Sequence, residues 1–158
     1  MYKRQVSGTG YVAGAAQRRS YVDRVAALDP RARADVVVVQ GGSNDRSAPP
    51  EALAAAAHRT LTGLRDRFPL AHRVVLGPGP DPEPVAAGQR AIDDLLHEVA
   101  AREGVPYLSI LRSRWIERVP AGRVLDGANH HPTVAGQRYL GRRLEQSLRR
   151  LYPRLTRH

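Results

Sequence analysis

Two polar clusters in this sequence carry residue types that suit acyl-transfer chemistry. The first is Gly-Gly-Ser-Asn-Asp at residues 41–45, directly after four valines and a glutamine at residues 36–40. The second lies at residues 126–136, where Asp126 and His131 precede a predicted helix. An asparagine amide can stabilise an oxyanion, and a histidine can take up and return a proton near neutral pH. Acyl transfer also needs a nucleophile, and neither cluster supplies an evident one.

Each cluster also has a purely structural interpretation. An Asx-turn after a strand explains Gly-x-Asn-Asp, and a polar loop that caps the last helix explains Asp126 and the two histidines after it. A metal site of Asp126, His130 and His131 is a weaker alternative, because adjacent side chains rarely converge on one ion. We therefore expect neither a metal nor a cofactor.

The elements that must position these clusters alternate along the chain. Four strand-like runs, separated by amphipathic stretches, occur at residues 4–6, 36–40, 73–76 and 107–110. Strands that alternate with helices are typical of a parallel sheet with helices on its faces. Polar residues that follow such strands meet at the carboxyl edge of the sheet, where open α/β folds place their sites. The valines at 36–39 predict a buried strand that ends at this edge.

Residues that favour helix N-termini, together with the spacing of apolar residues, predict four helices. Ser20 with Asp23 indicates a capping box, and Pro50 opens a second helix. A third helix is predicted over about residues 83–103, and a fourth follows the histidine cluster, with a solvated face of arginines at 142, 143, 149 and 150. The predicted core-facing residues of the last three helices are Leu53, Ala57, Leu61 and Leu64, then Ile92, Leu95, Leu96 and Val99, and then Leu140, Leu144, Leu148 and Leu151.

Composition limits the class of protein. With 158 residues and 42% hydrophobic content, the chain predicts one globular domain over residues 1–158. The absence of cysteine excludes disulfides, thiolate metal sites and a cysteine nucleophile. No apolar run reaches the ~20 residues that cross a bilayer, and no signal-peptide core follows Met1. We therefore expect no transmembrane segment, and the sequence leaves the compartment open.

The net charge of the chain indicates a second class of possible partner, one with negative charge. The formal value of +10 comes almost entirely from arginine, because Lys3 is the only lysine. Such a surface could attract nucleic acid or anionic lipid. Aromatic residues make up only 5% of the chain and do not interleave with the basic clusters, as a base-stacking surface would need. Biased genomic base composition also explains an arginine-rich, lysine-poor chain, so nucleic acid is not an expected partner.

Three segments, in this order along the chain, carry a family resemblance. They are Ser-Gly-Thr-Gly-Tyr at residues 7–11, Gly-Gly-Ser-Asn-Asp at 41–45 and His-Pro-Thr-Val-Ala-Gly at 131–136. The chain resembles the SGNH hydrolases, also called GDSL-type esterases or lipases, and is most similar to their actinobacterial branch. The resemblance spans nearly the whole chain. It implies a flavodoxin-like three-layer α/β/α fold with a parallel sheet, and hydrolysis of carboxylic esters.

The resemblance also implies roles for individual residues. Asn44 matches the side-chain amide of the oxyanion hole, Gly8 matches a glycine whose backbone N–H is another donor, and His131 matches the catalytic base. The family acid sits three residues before this histidine, whereas Asp126 lies five residues before it. Either an insertion still lets Asp126 reach His131, or His130 is the base, or a carbonyl orients the histidine. We favour the first of these.

The chain departs from the family at its first motif. The family nucleophile belongs to a Gly-Asp-Ser segment after the first strand, and no Gly-Asp-Ser occurs in this sequence. Ser7 and Ser43 are the only serines in the matching segments, and neither is expected on a strand-to-helix elbow. We therefore expect an amino-terminally shortened member without the central first strand. Strand 4–6 would then pair with strand 36–40, or strand 36–40 would keep an exposed edge that favours self-association.

Three functions compete on this sequence. The leading one is a serine-type ester hydrolase for acyl or acetyl esters of small molecules or glycans, with Gly8, Asn44, Asp126 and His131 in the site. The second is a catalytically inactive SGNH-like module that binds an ester or glycan in the same cleft. The third is a basic protein that binds nucleic acid or an anionic surface, with steep salt dependence and no dependence on Asn44 or His131.

Overall fold

A computed structural model gives the structure of residues 8–12, 19–79, 87–127 and 131–156. In these parts of the chain the strands form one parallel sheet in the order β1-β2-β3. The predicted strand at residues 4–6 lies outside the described residues. The other three predicted strands are confirmed, and they are β1 at Val36–Gln40, β2 at His72–Leu76 and β3 at Tyr107–Leu108.

β1 matches its prediction in extent but not in burial. Only Val39 is buried, at 8% exposed, and the other three valines are partly exposed. Within the described residues, β2 flanks β1 on one side and no strand flanks it on the other. The prediction of a buried strand is therefore wrong for Val36, Val37 and Val38, because an edge strand is covered less completely than a central one.

Helices fill the described connections, and their starts follow the sequence signals. They are α1 at Tyr21–Ala26, α2 at Pro50–Arg67, α3 at Ala87–Arg102, α4 at Ala121–Val124 and α5 at Val134–Leu151. Ser20 and Asp23 form the predicted capping box of α1. Pro50 occupies the first turn of α2. A backbone N–H there would have no partner within the helix, so the lack of one in proline does not weaken the helix. Thr133 caps α5, because its hydroxyl accepts a hydrogen bond from the backbone N–H of Gly136 over 2.9 Å.

The side chains of β1 show that helices cover both faces of the sheet. Val37 and Val39 belong to one hydrophobic cluster and Val38 to another, as the two-residue period of a strand requires. The first cluster includes the inner faces of α2 and α3. The second includes Trp115 and the apolar face of α5. The predicted three-layer α/β/α architecture is confirmed.

The core predictions for α2 and α3 are confirmed almost completely. All four predicted residues of α2 are at most 4% exposed. On α3, Ile92, Leu96 and Val99 are buried, and Leu95 packs against the same cluster while it stays partly exposed. These two helices lie side by side on one face of the sheet, so their inner stripes are covered along most of their length.

The face of α5 differs from its prediction at two points. Leu140 and Leu144 pack on the second cluster, but Leu151 is 38% exposed at the last turn of the helix. Arg143 was predicted on the solvated face, yet its guanidinium lies 5.5 Å from the ring centroid of Trp115 and its Nε is buried. A long arginine side chain can cover an aromatic ring in this way, so Arg143 contributes to packing. None of the described helices is long and apolar enough to cross a membrane.

Candidate active site

The candidate site begins at the turn that follows β1. Gly42 has a φ of 112°, which favours glycine, and it leads the chain into a short 3₁₀ helix at Ser43–Asp45. Ser43 is thus the first residue of a short 3₁₀ turn after β1, and no hydrogen bond among the described residues joins it to a histidine. Its hydroxyl makes no hydrogen bond with any residue in the described ranges. Asn44 and Asp45 occupy the rest of this turn.

Asn44 contacts the glycine-rich segment at residues 8–12. Its Nδ2 donates to the backbone oxygen of Thr9 over 2.8 Å, between residues that are 35 positions apart. A side-chain amide has two N–H donors, so one of them remains for another acceptor. Gly8 has a φ of 71°, in the left-handed region that glycine adopts without strain. The structure thus brings the segment that carries Gly8 against Asn44.

Asp45 holds the same segment at two further points. Its side chain is only 1% exposed. One carboxylate oxygen accepts the backbone N–H of Tyr11 over 3.0 Å, and the other accepts that of Val12 over 2.9 Å. Gly10 passes so close that a Cβ there would lie 2.4 Å from Asp45 Oδ2. The absence of a side chain at position 10 is therefore a requirement of this close approach.

Tyr21, at the start of α1, links the segment at residues 8–12 to the sheet through two hydrogen bonds. The backbone N–H of Tyr21 donates to the carbonyl of Gly10 over 3.0 Å, and the Tyr21 hydroxyl donates to the carbonyl of Gln40 over 2.6 Å. Burial raises the pKa of Tyr21 to about 12. The Tyr21 hydroxyl therefore remains protonated, and able to donate, to a higher pH than an exposed tyrosine.

Tyr11 lies in the core directly beside this attachment. Its side chain is 1% exposed, and its ring centroid is 4.9 Å from that of Tyr21. The Tyr11 hydroxyl is buried and has no hydrogen-bond partner among the residues that the structure describes. Burial raises the pKa of Tyr11 well above its ordinary value. The Tyr11 hydroxyl thus stays neutral, and its lack of a partner costs stability.

The second predicted group, Asp126 and His131, lies on a tight hairpin. Leu125 and Pro132 form an antiparallel bridge, and the N–H of Asp126 donates to the carbonyl of His131 over 2.9 Å. This register places Asp126 directly opposite His131, and opposed residues of an antiparallel pair project to the same face. Asp126 can therefore lie beside His131 although it lies five residues, and not three, before it in sequence.

The side chains of Asp126 and His131 are not hydrogen-bonded to each other. His131 is exposed and Asp126 is partly exposed, and within the described ranges the His131 ring has no hydrogen-bond partner. The alternative base, His130, lies outside the described residues.

Packing attaches this hairpin near the carboxyl ends of the strands. Val124 and Leu125 are at most 4% exposed and share a hydrophobic cluster with Leu76, the last residue of β2. Ile110, two residues beyond the end of β3, belongs to the same cluster. Both predicted groups therefore lie near the carboxyl edge of the sheet. No hydrogen bond between described residues joins the hairpin to the Asn44 turn.

A second buried carboxylate, Asp93, belongs to a separate polar network. It is 1% exposed and accepts hydrogen bonds from the hydroxyls of Tyr107 and Ser109, each over 2.7 Å. The Ser109 hydroxyl also accepts the backbone N–H of Arg112 over 2.9 Å. This network diverts the chain after Leu108, so β3 ends two residues earlier than predicted. Burial, followed by the hydrogen bond to Asp93, raises the pKa of Tyr107 well above its ordinary value.

Neither a metal site nor the cavity of the described parts of the chain involves the predicted site residues. No group of three His, Asp or Glu residues there could hold a metal ion. A cavity of about 290 Å³ lies at the opposite, amino end of the strands and contains none of the predicted site residues. It is lined by Ala71, His72, Arg73, Gly104, Val105, Pro106 and Tyr152. The chemistry-bearing residues thus lie at the other edge of the sheet.

The layers and the parallel sheet define a flavodoxin-like α/β/α domain, with the two polar groups near the carboxyl ends of its strands. The sequence profile of the GDSL-like lipase/acylhydrolase family matches residues 2–139. The chain therefore belongs to this family, and the resemblance inferred from three short segments is confirmed. A search of curated proteins finds no match to this chain.

Solved structures share the fold at low sequence identity. A protein from Lactobacillus plantarum is 23% identical, with a TM-score of 0.70 over 90% of this chain and 77% of its own. The aryl esterase of M. smegmatis is 18% identical, with a TM-score of 0.68 over 95% of this chain and 78% of its own. A family two carbohydrate esterase from Clostridium thermocellum, in complex with cellohexaose, is 19% identical, with a TM-score of 0.71 over 92% of this chain and 48% of its own.

Sequence reasoning proposed Asn44 as a site residue but did not predict the contacts of its neighbour Asp45. The available signal was a charged residue directly after a strand, where burial of a carboxylate requires hydrogen-bond donors. The donors are backbone N–H groups 34 and 33 residues away, and every non-proline residue carries such a group. Nothing in the sequence distinguishes those two N–H groups from the others.

Proposed function

We propose that this domain hydrolyses acyl or acetyl esters, with oxyanion stabilisation by Asn44 and Gly8. The single observation that carries the proposal is the contact between Asn44 and the segment that bears Gly8. Oxyanion donors are effective because they are fixed before the reaction, and one such donor is worth roughly 3–4 kcal/mol in the transition state. Here the free N–H of the Asn44 amide and the backbone N–H of Gly8 belong to two segments that are held together.

His131 is proposed as the base and Asp126 as the residue that orients it. Their opposition across the Leu125–Pro132 bridge supports this pairing. Since the two side chains are not yet hydrogen-bonded, a rotation about their side-chain torsions is needed when substrate binds. The base would accept the proton of a nucleophile and return it to the leaving alcohol.

The nucleophile is the part of the proposal that needs direct identification. The sequence contains no Gly-Asp-Ser, and Ser43 is the serine that directly follows the turn after β1. We would treat the folded chain with a fluorophosphonate probe and locate the modified residue by mass spectrometry. Labelling of one serine, abolished by His131→Ala, is the expected result for a hydrolase.

A matched control is available in another histidine. His58 lies on α2 and its Nδ1 is 2.6 Å from Glu103 Oε1, in an exposed ion-pair geometry unrelated to the site. His58→Ala should keep full labelling. Asn44→Ala should slow turnover of a small acyl ester by roughly 100- to 1000-fold while the fold is retained. Equal labelling of wild type and His131→Ala would exclude the proposed base.

A catalytically inactive binding module is the second candidate, and the missing Gly-Asp-Ser favours it. Because one structural neighbour is a carbohydrate esterase, acetylated oligosaccharides are the first ligands to test in either case. Absence of labelling, together with calorimetric binding of an acetylated oligosaccharide that Asn44→Ala weakens, would establish the binding module. Labelling with turnover would establish the hydrolase.

A further inference from the structure

We infer that Asp45 is a positioning residue, which keeps the Gly8 N–H and the Asn44 amide in one fixed arrangement. The inference rests on the proposed function, because it assigns a role to Asp45 within the same oxyanion site. Asp45 itself is buried and accepts two backbone N–H groups, so it acts through the segment that it holds.

The two acceptor bonds of Asp45 are made to consecutive residues. Tyr11 and Val12 each donate one N–H, and the two donors go to different oxygens of the same carboxylate. Only a carboxylate offers two equivalent acceptor oxygens in one plane, since an asparagine would place an N–H₂ donor against one of the N–H groups. The chemistry of the pair therefore specifies aspartate at position 45.

A buried carboxylate such as that of Asp45 destabilises the fold unless hydrogen-bond donors satisfy both of its oxygens. Removing a carboxylate from water carries a large penalty, which charge-assisted bonds to N–H groups offset. The close contact of Gly10 with the carboxylate adds a steric condition, because any side chain at position 10 would push the segment away. The segment can approach the turn only in the geometry that Asp45 selects.

Neighbouring side chains of the same turn thus divide two tasks. Asn44 donates one amide N–H to the carbonyl of Thr9, whereas Asp45 holds the next residues of the same segment. Gly8 lies three residues before Tyr11, so the position of its N–H depends on this attachment. Displacements of about 1 Å at a reacting centre can cost 100-fold in rate, so loss of the attachment should reduce turnover.

Asp93 provides a matched control for the test. It is as buried as Asp45, at 1% exposed, and it accepts hydrogen bonds from the hydroxyls of Tyr107 and Ser109, with Arg112 Nε 3.6 Å from its Oδ2. Asp45→Asn and Asp93→Asn each replace one buried carboxylate by an amide of the same shape. Both should lower the denaturation midpoint, so a loss of stability alone does not separate them.

The readouts are amide hydrogen exchange by NMR and ester turnover, both on the full chain. Asp45→Asn should speed exchange at Tyr11 and Val12 by at least about tenfold and, in an active protein, lower kcat by about 100-fold with KM nearly unchanged. Asp93→Asn should leave both quantities within about twofold of wild type. Unchanged exchange at Tyr11 and Val12 in Asp45→Asn, or an equal change in Asp93→Asn, would overturn the inference.

Turnover and exchange separate this inference from the proposed function. A wild-type chain that neither hydrolyses esters nor reacts with the fluorophosphonate probe would contradict hydrolysis, and the exchange data would still decide whether Asp45 holds the segment. An active wild type whose Asp45→Asn variant retains its full kcat would contradict the positioning role and leave the proposed function intact.

Discussion

At the scale of single residues, the buried hydroxyl of Tyr11 gives a direct prediction about stability. Because no group in the described parts of the chain bonds to this hydroxyl, folding removes it from water without compensation there. Tyr11→Phe removes the hydroxyl and keeps the ring contact with Tyr21. We expect the free energy of unfolding to stay level or to rise by about 1 kcal/mol, measured by urea denaturation.

Tyr107→Phe is the matched comparison for Tyr11→Phe. The Tyr107 hydroxyl donates to the buried carboxylate of Asp93 over 2.7 Å, so its removal leaves a charged acceptor less satisfied. We expect a loss of about 1–3 kcal/mol in the same measurement. A clear destabilisation by Tyr11→Phe would show that the Tyr11 hydroxyl has a partner in solution, such as a buried water.

The same scale shows what a sequence can and cannot predict about a site. Asn44 and His131 could be proposed from the sequence because their residue types match a chemical task and their neighbours form recognisable motifs. Asp45 was not identifiable as a positioning residue, since its partners are backbone N–H groups of Tyr11 and Val12. Backbone donors have no sequence signature, so contacts of this kind require a structure.

At the scale of elements, two glycines of α5 predict opposite outcomes for the same substitution. A Cβ on Gly136 would lie 1.9 Å from the backbone oxygen of Val124, whereas a Cβ on Gly141 would meet nothing within 4 Å. Gly141→Ala should stabilise the protein by up to about 1 kcal/mol through helix propensity. Gly136→Ala should destabilise it by about 1–3 kcal/mol, because a backbone atom cannot move aside easily.

Thermal or urea denaturation of the two glycine variants tests this contact. Gly136 also follows the bridged hairpin that carries Asp126 and His131, so Gly136→Ala should additionally reduce ester turnover or probe labelling. Equal stabilisation by both substitutions would mean that α5 does not approach α4 as closely as the structure describes.

A second prediction at this scale concerns the edge of β1. His72 donates to the carbonyl of Asp35 over 2.8 Å, so the N–H and C=O groups of alternate residues, Val36 and Val38 among them, point away from β2. Among the described residues no strand occupies that edge. We propose that the chain self-associates there, and we expect its mass in sedimentation velocity to rise with concentration.

Two lysine substitutions distinguish the β1 edge from general surface charge. Val36→Lys places a charge on the edge strand and should lower association. Leu70→Lys adds the same charge at a turn residue that is 95% exposed and lies outside β1, and it should leave association unchanged. If both variants lower self-association equally, or if neither variant lowers it, the edge of β1 is not the contact between copies of the chain.

Secondary structure was more predictable than burial. Capping signals fixed the starts of α1 and α2 because those signals are local, and the valine run fixed the bounds of β1. The burial of Val36 to Val38 was overestimated, since coverage of a strand depends on neighbours that are remote in sequence. Arg143 was misplaced for the same reason, because its partner Trp115 lies on another segment.

At the scale of the whole molecule, buried tyrosines predict a loss of stability at high pH. Burial raises the pKa of Tyr21 from 10.0 to about 12 and raises those of Tyr11 and Tyr107 further. Between pH 10 and 12 the unfolded chain therefore binds fewer protons than the folded protein. Stability is fully present below pH 10 and falls as pH rises through this window.

Urea midpoints at successive pH values, with tyrosinate absorbance in parallel, measure this effect. The midpoint should fall above pH 10, and part of the tyrosine absorbance should change only as the protein unfolds. Tyr21→Phe should show a shallower fall, because one raised pKa is removed. Midpoints that stay constant to pH 11 in a chain whose tyrosines all titrate while folded would contradict the prediction.

The bridge between Leu125 and Pro132 has a consequence for the recognition of related sequences. The hairpin, and not a fixed number of intervening residues, sets which residue lies opposite His131. The bridge involves only residues 124–126 and 131–133, so the opposition of Asp126 and His131 does not depend on a fixed count of residues between them. A search that demands one acid-to-histidine interval would therefore overlook members whose turns have changed length, and a search for a bridged acid and histidine would retain them.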